Sequence, residues 1–151
     1  MKSVEVKKKV YVLTLSRVFP ITHPMYGINI GFEDAIGMGI KIHTIRGNYP
    51  LWESRIEQIN SGFAVLSVRV WKDKPYRSKQ IELMQFEKLG IQKALFREKY
   101  IYVNSVECNE LHHKYETVAA NDGLTKDDFM DWFKPIPTEP MAIIHFTDFR
   151  Y

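Results

Sequence analysis

Apolar positions along this chain change period several times, and each change predicts an element. Residues 10–15 are an unbroken apolar and β-branched run, the composition of a strand buried on both faces. Residues 31–36 set Phe32 and Ile36 four apart, which predicts a short helix with one buried side. Beyond Gly37-Met38-Gly39, residues 41–46 read with period two. That places Lys41, His43 and Ile45 on one face of a strand and Ile42, Thr44 and Arg46 on the other. Over 50–60 the period lengthens, and Trp52, Ile56 and Ile59 form a helical stripe. Asn48 or Tyr49 serves as its cap, Pro50 suits its first turn and Gly62 lies past its end. Residues 63–71 alternate again, with Ala64, Leu66, Val68 and Val70 on one face, and 80–86 resume the alternation after a turn. The two runs predict a hairpin.

In the second half, Leu89, Ala94 and Leu95 predict a helical turn within 87–96, and 99–106 reads as a strand. The spacing of His112, Tyr115 and Ala119 predicts a helix over 110–121, closed by Gly123. A second short helix covers 125–133, with Thr125 as cap and Asp127 and Asp128 complementing the dipole of its first turn. A proline-rich link at 135–140 leads into a last strand, 141–147, predicted to pair centrally. Five or six strands, mixed with short helices after the first and before the last, predict an α+β domain with a partly closed barrel. A chain of 151 residues suffices for one such domain and is short for two.

Composition narrows the class. With 45% apolar and 26% charged residues, the chain reads as an ordinary soluble globular protein. No apolar run approaches the roughly 20 residues needed to span a bilayer. Lys2, Glu5 and Lys7 to Lys9 fall where a secretory leader needs its apolar segment, so the expectation is a cytoplasmic protein with no membrane partner. Cys108 is the single cysteine; it has no disulfide partner or companion thiolate and reads as a small buried hydrophobe. Net charge is +3, but residues 1–80 carry 13 Lys/Arg against 6 Asp/Glu, and 81–151 carry 8 against 12. A polyanion is drawn to the first half if folding gathers those cations on one face; otherwise they are scattered solvated charges.

Two stretches carry candidate chemistry. Residues 41–46 hold two cations, an imidazole and a hydroxyl on a predicted strand flanked by glycines. That concentration suits a site, and the plain alternative is a solvated edge strand. The turn between the hairpin strands carries Lys72, Lys74, Arg77 and Lys79 around Tyr76, next to Arg69 and Trp71. Cations interleaved with aromatics suit single-stranded nucleic acid, where lysines neutralise phosphates and rings stack on bases. A hairpin tip kept soluble by lysines is the alternative. His23, between two prolines, reads as an exposed loop residue. His112-His113 implies no metal site, because adjacent residues on a helix point 100° apart and no further ligand follows at a suitable spacing. No cofactor is implied.

The chain resembles the ASCH domains of the PUA-like superfamily, which also includes the EVE and YTH modules. The resemblance rests on the opening strand, Phe32-Glu33 on a short helix and Lys41-x-x-Thr44-x-Arg46. It also rests on Asp122-Gly123 before a short acidic helix, and on the closing Ile143-Ile144-His145-Phe146. It spans nearly the whole chain, with residues from about 72 to 100 as an elaboration on the compact family form. It implies a small mixed or antiparallel PUA-like β-barrel of five to six strands with short flanking helices. It further implies a cleft that binds RNA or a modified nucleotide. Lys41, Thr44, Arg46, Trp52 and Arg69, with His43, would line that cleft, and residues 72–79 would extend its basic face. Some small ASCH proteins similar in the motif are amidohydrolases that remove an acyl group from N4 of acylated cytidine. On that resemblance Lys41 is the general base, Thr44 the nucleophile and Asp122 the acid, at a place where the family more often has Glu; Glu33 is a second candidate. A shared site for Lys41 and Thr44 requires a bulge or turn between them, expected near His43-Thr44. A ribonuclease, or a structural domain without a ligand, remains as a further alternative.

Overall fold

The computed structural model describes residues 7–104 and 111–151, so Cys108, Glu110 and the predicted strand end at 105–106 lie outside the described residues. The elements run β1 (Lys9–Leu15), α1 (Phe32–Gly37), β2 (His43–Arg46), α2 (Tyr49–Asn60), β3 (Ala64–Trp71), β4 (Gln80–Phe86), β5 (Gly90–Phe96), β6 (Tyr100–Val103), β7 (Leu111–Lys114), α3 (Tyr115–Asn121), α4 (Lys126–Trp132) and β8 (Met141–His145). The class is mixed α+β, with eight strands in two sheets among the described residues. In the three-stranded sheet, β3 is central, parallel to β1 and antiparallel to β4. The second sheet is antiparallel throughout, in the order β2-β8-β5-β6-β7. Among the described residues no ladder joins the two sheets.

Burial explains why the clearest elements form. Val65 and Ser67 of β3 are buried along with Ala64, Leu66, Val68 and Val70, as a central strand covered on both faces requires. Helix α2 inserts its stripe, Trp52, Ile56 and Ile59, into the main core. Its Asn48 cap, held at a left-handed φ of 59°, accepts a hydrogen bond from the Leu51 amide. Helix α4 begins as predicted, with Thr125 Oγ1 accepting from the Asp128 amide. Its Phe129 stacks on Phe96 of β5, with ring centroids 5.9 Å apart. His23 is buried rather than exposed. It stacks on Phe19 and lies 3.2 Å from the Asp128 carbonyl, which fastens the loop after β1 to α4.

Four predicted elements differ. Strand β1 lies at the edge of its sheet with Val10 and Val12 exposed, so its apolar run is not that of a strand covered on both faces. The helical turn over 87–96 is instead strand β5, with Gly90, Gln92, Ala94 and Phe96 inward, and it is the middle strand of its sheet, paired with β8 and β6. Glycine, glutamine and alanine at the inward positions hide its period of two. Within the stretch from about 72 to 100, β4 belongs to the three-stranded sheet, and β5 and the start of β6 belong to the five-stranded one. The helix predicted over 110–121 survives only as Tyr115–Asn121. Residues 111–114 pair with β6, because a ladder on an open edge outcompetes an extra turn of a marginal short helix. Finally, the motif strand begins at His43, and its register against β8 is regular from His43 to Arg46, so no bulge lies at His43-Thr44. The departure from strand geometry comes earlier, at Lys41 and Ile42. The register shift that does occur is in the other sheet, between Val68 and Arg69.

Candidate functional site

The segment before β2 decides where Lys41 goes. The amides of Ile40 and Lys41 both donate to the Ala35 carbonyl and close the end of α1, with Gly39 at φ 72°. The Ile42 amide then donates to the Asn121 carbonyl, and the Ile42 carbonyl accepts from the Phe146 amide. Lys41 is thereby held off the strand, against the C-terminal end of α3. Thr44 and Arg46, two apart on β2, share one face of the strand. All three side chains line one cavity of about 250 Å³, together with Asp122. Phe32 from α1 and Trp132 and Phe133 at the end of α4 form apolar walls, and Thr14 and Ser16 contribute from the end of β1.

Lys41, Thr44 and Asp122 are 2%, 5% and 4% exposed, so the lysine is not a solvated surface cation. Its Nζ donates to the Asp122 carbonyl at 2.8 Å and to Asp122 Oδ1 at 3.0 Å, and lies 4.1 Å from the centre of the Phe32 ring. Two of the three positions on the nitrogen are thus taken by Asp122, and the third is left for the cavity. Burial pushes the Lys41 ammonium below its ordinary value; Asp122 opposes this and Arg46 adds to it, with a net downward result. Burial pushes the Asp122 carboxyl up, but Lys41 and then His43 more than offset it, and the carboxyl lies below the usual range. Gly123, at φ +81°, makes room for the lysine. A Cβ there would lie 3.1 Å from Lys41 Cβ. The half-buried Arg46 is anchored by an Nη2 hydrogen bond to the Thr14 carbonyl at 2.7 Å.

The remaining predicted site residues fall elsewhere. Glu33 pairs with Arg17 at 2.5 Å and lines a neighbouring cavity that shares Ser16 and Phe32 with the first. It is not the acid beside Lys41. Trp52 is a core residue of α2, 7% exposed, and does not line the cavity. His43 has no exposed surface and lies behind the cavity rather than in its lining. Arg69 bonds Ser67 Oγ and Gln80, and Gln80 in turn donates to Thr14 Oγ1, so Arg69 stands behind the cavity rim. Lys72, Lys74, Arg77 and Lys79 are exposed on the β3–β4 turn around Tyr76, which is 88% exposed and has its ring 5.2 Å from that of Trp71. Sequence reasoning missed Tyr151 and Asn121, which contact the motif from behind, and the walls from α4. Asn121-Asp122-Gly123 at a helix end is a turn signal that points to a close approach there; nothing in the sequence marks Tyr151. No family model, curated protein or solved structure matches the chain. Among the described residues no helix is long and apolar enough to cross a membrane.

Proposed function

We propose that this cavity takes a single modified nucleobase or nucleoside and removes an acyl group from its exocyclic amine, as an ASCH-type amidohydrolase of the PUA-like class. The observation that carries the reading is the convergence of a desolvated lysine, a buried threonine hydroxyl and a carboxylate in one aromatic-walled cavity. An ordinary lysine, with a pKa near ~10.4, is almost wholly protonated at neutral pH and cannot act as a base; burial moves Lys41 in the direction that role requires. In the proposed reaction Thr44 Oγ1 attacks the acyl carbonyl carbon and Lys41 Nζ takes the hydroxyl proton. The tetrahedral oxyanion forms beside the Arg46 guanidinium. The C–N bond breaks as Lys41 returns the proton to the leaving amine, and Thr44 is left as an ester. Water, deprotonated by Lys41, then releases the carboxylic acid and restores the threonine. Asp122 orients Lys41 throughout through its two hydrogen bonds.

The test is turnover of N4-acetylcytidine. Wild-type protein is expected to release cytidine and acetate, and both Lys41→Ala and Thr44→Ala are expected to lower kcat/KM by at least ~10³-fold. Turnover that survives Thr44→Ala overturns the nucleophile assignment, and absence of turnover with any N-acylated nucleoside overturns the reading. The exposed basic turn around Tyr76 favours RNA binding as a second reading. In that case Lys72→Ala/Lys74→Ala/Arg77→Ala weakens a salt-dependent RNA affinity that Thr44→Ala leaves intact.

A further inference from the structure

A run of hydrogen bonds that the deacylation scheme does not use lies behind the cavity. Asn121 Nδ2 donates to Tyr151 Oη at 3.0 Å, Tyr151 Oη lies 2.5 Å from His43 Nε2, and His43 Nδ1 lies 3.3 Å from Asp122 Oδ1. Satisfying the donors in turn assigns the protons. The Tyr151 hydroxyl donates a hydrogen bond to Nε2, and the ring proton of His43 then sits on Nδ1, facing the carboxylate. The oxygen that receives it, Oδ1, is the one that accepts from Lys41 Nζ at 3.0 Å. A single carboxylate oxygen is therefore shared between a lysine in the cavity and an imidazole behind it. Other titratable groups stand near the chain: Arg46 on β2, His145 on β8 with its ring 5.6 Å from that of His43, and His113 on β7 with its ring 4.9 Å from Tyr151. Among the described residues none of these three hydrogen-bonds Asp122.

We propose that His43 is a positioning residue for Lys41: its Nδ1–H holds Asp122 Oδ1 in place and loosens the carboxylate's grip on the lysine proton, while Tyr151 and Asn121 fix the tautomer that does so. A carboxylate that accepts a second donor is a weaker partner for the first, because the added hydrogen bond stabilises its negative charge. Without His43, Asp122 serves Lys41 alone and keeps it an ammonium. The inference concerns the same site and rests on the deacylase reading only for its consequence for turnover.

The experiment reads the Lys41 proton directly, without substrate. Protein carrying lysine labelled with ¹³C at Cε is titrated by NMR, with the Lys41 resonance assigned from its loss in Lys41→Arg. The Lys41 midpoint is expected to rise by about one pH unit in His43→Leu and by less in Tyr151→Phe. It should stay near the wild-type value in His43→Asn, whose amide can still donate to Asp122. If the deacylase reading holds, kcat/KM for the acylated nucleoside falls about tenfold at neutral pH in His43→Leu. It recovers at higher pH, because only the neutral fraction of Lys41 has changed. Should His43→Leu fail to fold, Tyr151→Phe, which deletes one oxygen, carries the measurement. A Lys41 midpoint that moves in neither folded variant overturns the inference. A moved midpoint with no turnover by the wild type overturns the deacylase reading and leaves the positioning role standing.

Discussion

At the scale of single residues, Lys41 and Asp122 depend on each other more than either contributes alone. Two charges out of water tolerate neither partner's removal, because the survivor stays buried without compensation. Lys41→Met is therefore expected to destabilise the fold by about 3–5 kcal/mol in urea unfolding. Adding Asp122→Asn to Lys41→Met should recover part of that loss, and a double variant as unstable as the sum of its two parts would rule out the coupling. Gly123 makes a second prediction. Its φ of +81° is costly for any side chain, and a Cβ would press on the Lys41 stem at 3.1 Å. Gly123→Ala should cost about 1–2 kcal/mol from the left-handed backbone alone. It should also lower the proposed turnover more than that loss of stability explains, since the stem that positions Nζ must move. Equal turnover per folded molecule would show that the stem has room to spare.

Among elements, the cavity depends on two short helices that bring aromatic walls to a strand they do not pair with. Helix α4 is seven residues long and, on its own, too short to persist in water. Its Thr125 cap and the packing of Phe129 on Phe96 hold it, and with it Trp132 and Phe133 at the cavity. Thr125→Ala should cost about 1 kcal/mol. If a nucleobase packs on those rings, the same variant should raise KM for an N-acylated nucleoside while leaving kcat nearly intact. A fall in kcat with unchanged KM would place the walls away from the ligand. The cap, the stripe of α2 and the extent of β3 were all legible in the sequence, because each is a local pattern with a local cause; that both faces of β3 are covered was not. Strand β5 was not, since its inward Gly90, Gln92 and Ala94 are set by partners in β8 rather than by their own polarity. Strand β7 was hidden for a similar reason. His112 and Tyr115 keep a helical spacing whatever pairs with residues 111–114, and only the edge of β6 decides. The meeting of Lys41 with Thr44 and Arg46 was anticipated from the motif. The device that achieves it, a chain reversal tied to Ala35 and Asn121, depends on contacts of long sequence separation that no local period records.

For the molecule as a whole, the five-stranded sheet encloses a polar centre whose ionisation opposes folding in acid. His145 on β8 has no exposed surface. Its Nε2 donates to Gln92 Oε1 at 2.9 Å, and among the described residues Nδ1 finds no partner. Burial first, then the charge that His43 would carry alongside it if protonated, and the Arg150 guanidinium hold its pKa down to about 3 from an ordinary 6.5. Because the unfolded chain binds this proton and the folded chain refuses it, the imidazole contributes no penalty above about pH 6.5. As pH falls from there towards 3, stability drops by up to ~1.4 kcal/mol per pH unit, a total on the order of 4–5 kcal/mol. Asp122 acts in the same direction at lower pH. Its carboxyl is held below the usual range, so its contribution is complete above about pH 4 and disappears as acid protonates it. The two groups separate on the pH axis, and His145→Leu isolates the first. Urea unfolding between pH 6 and pH 4 should show a shallower loss of stability in that variant than in the wild type, whatever its stability at neutral pH. Parallel slopes in the two proteins would mean that His145 takes up its proton without unfolding, and that the centre of the sheet admits water.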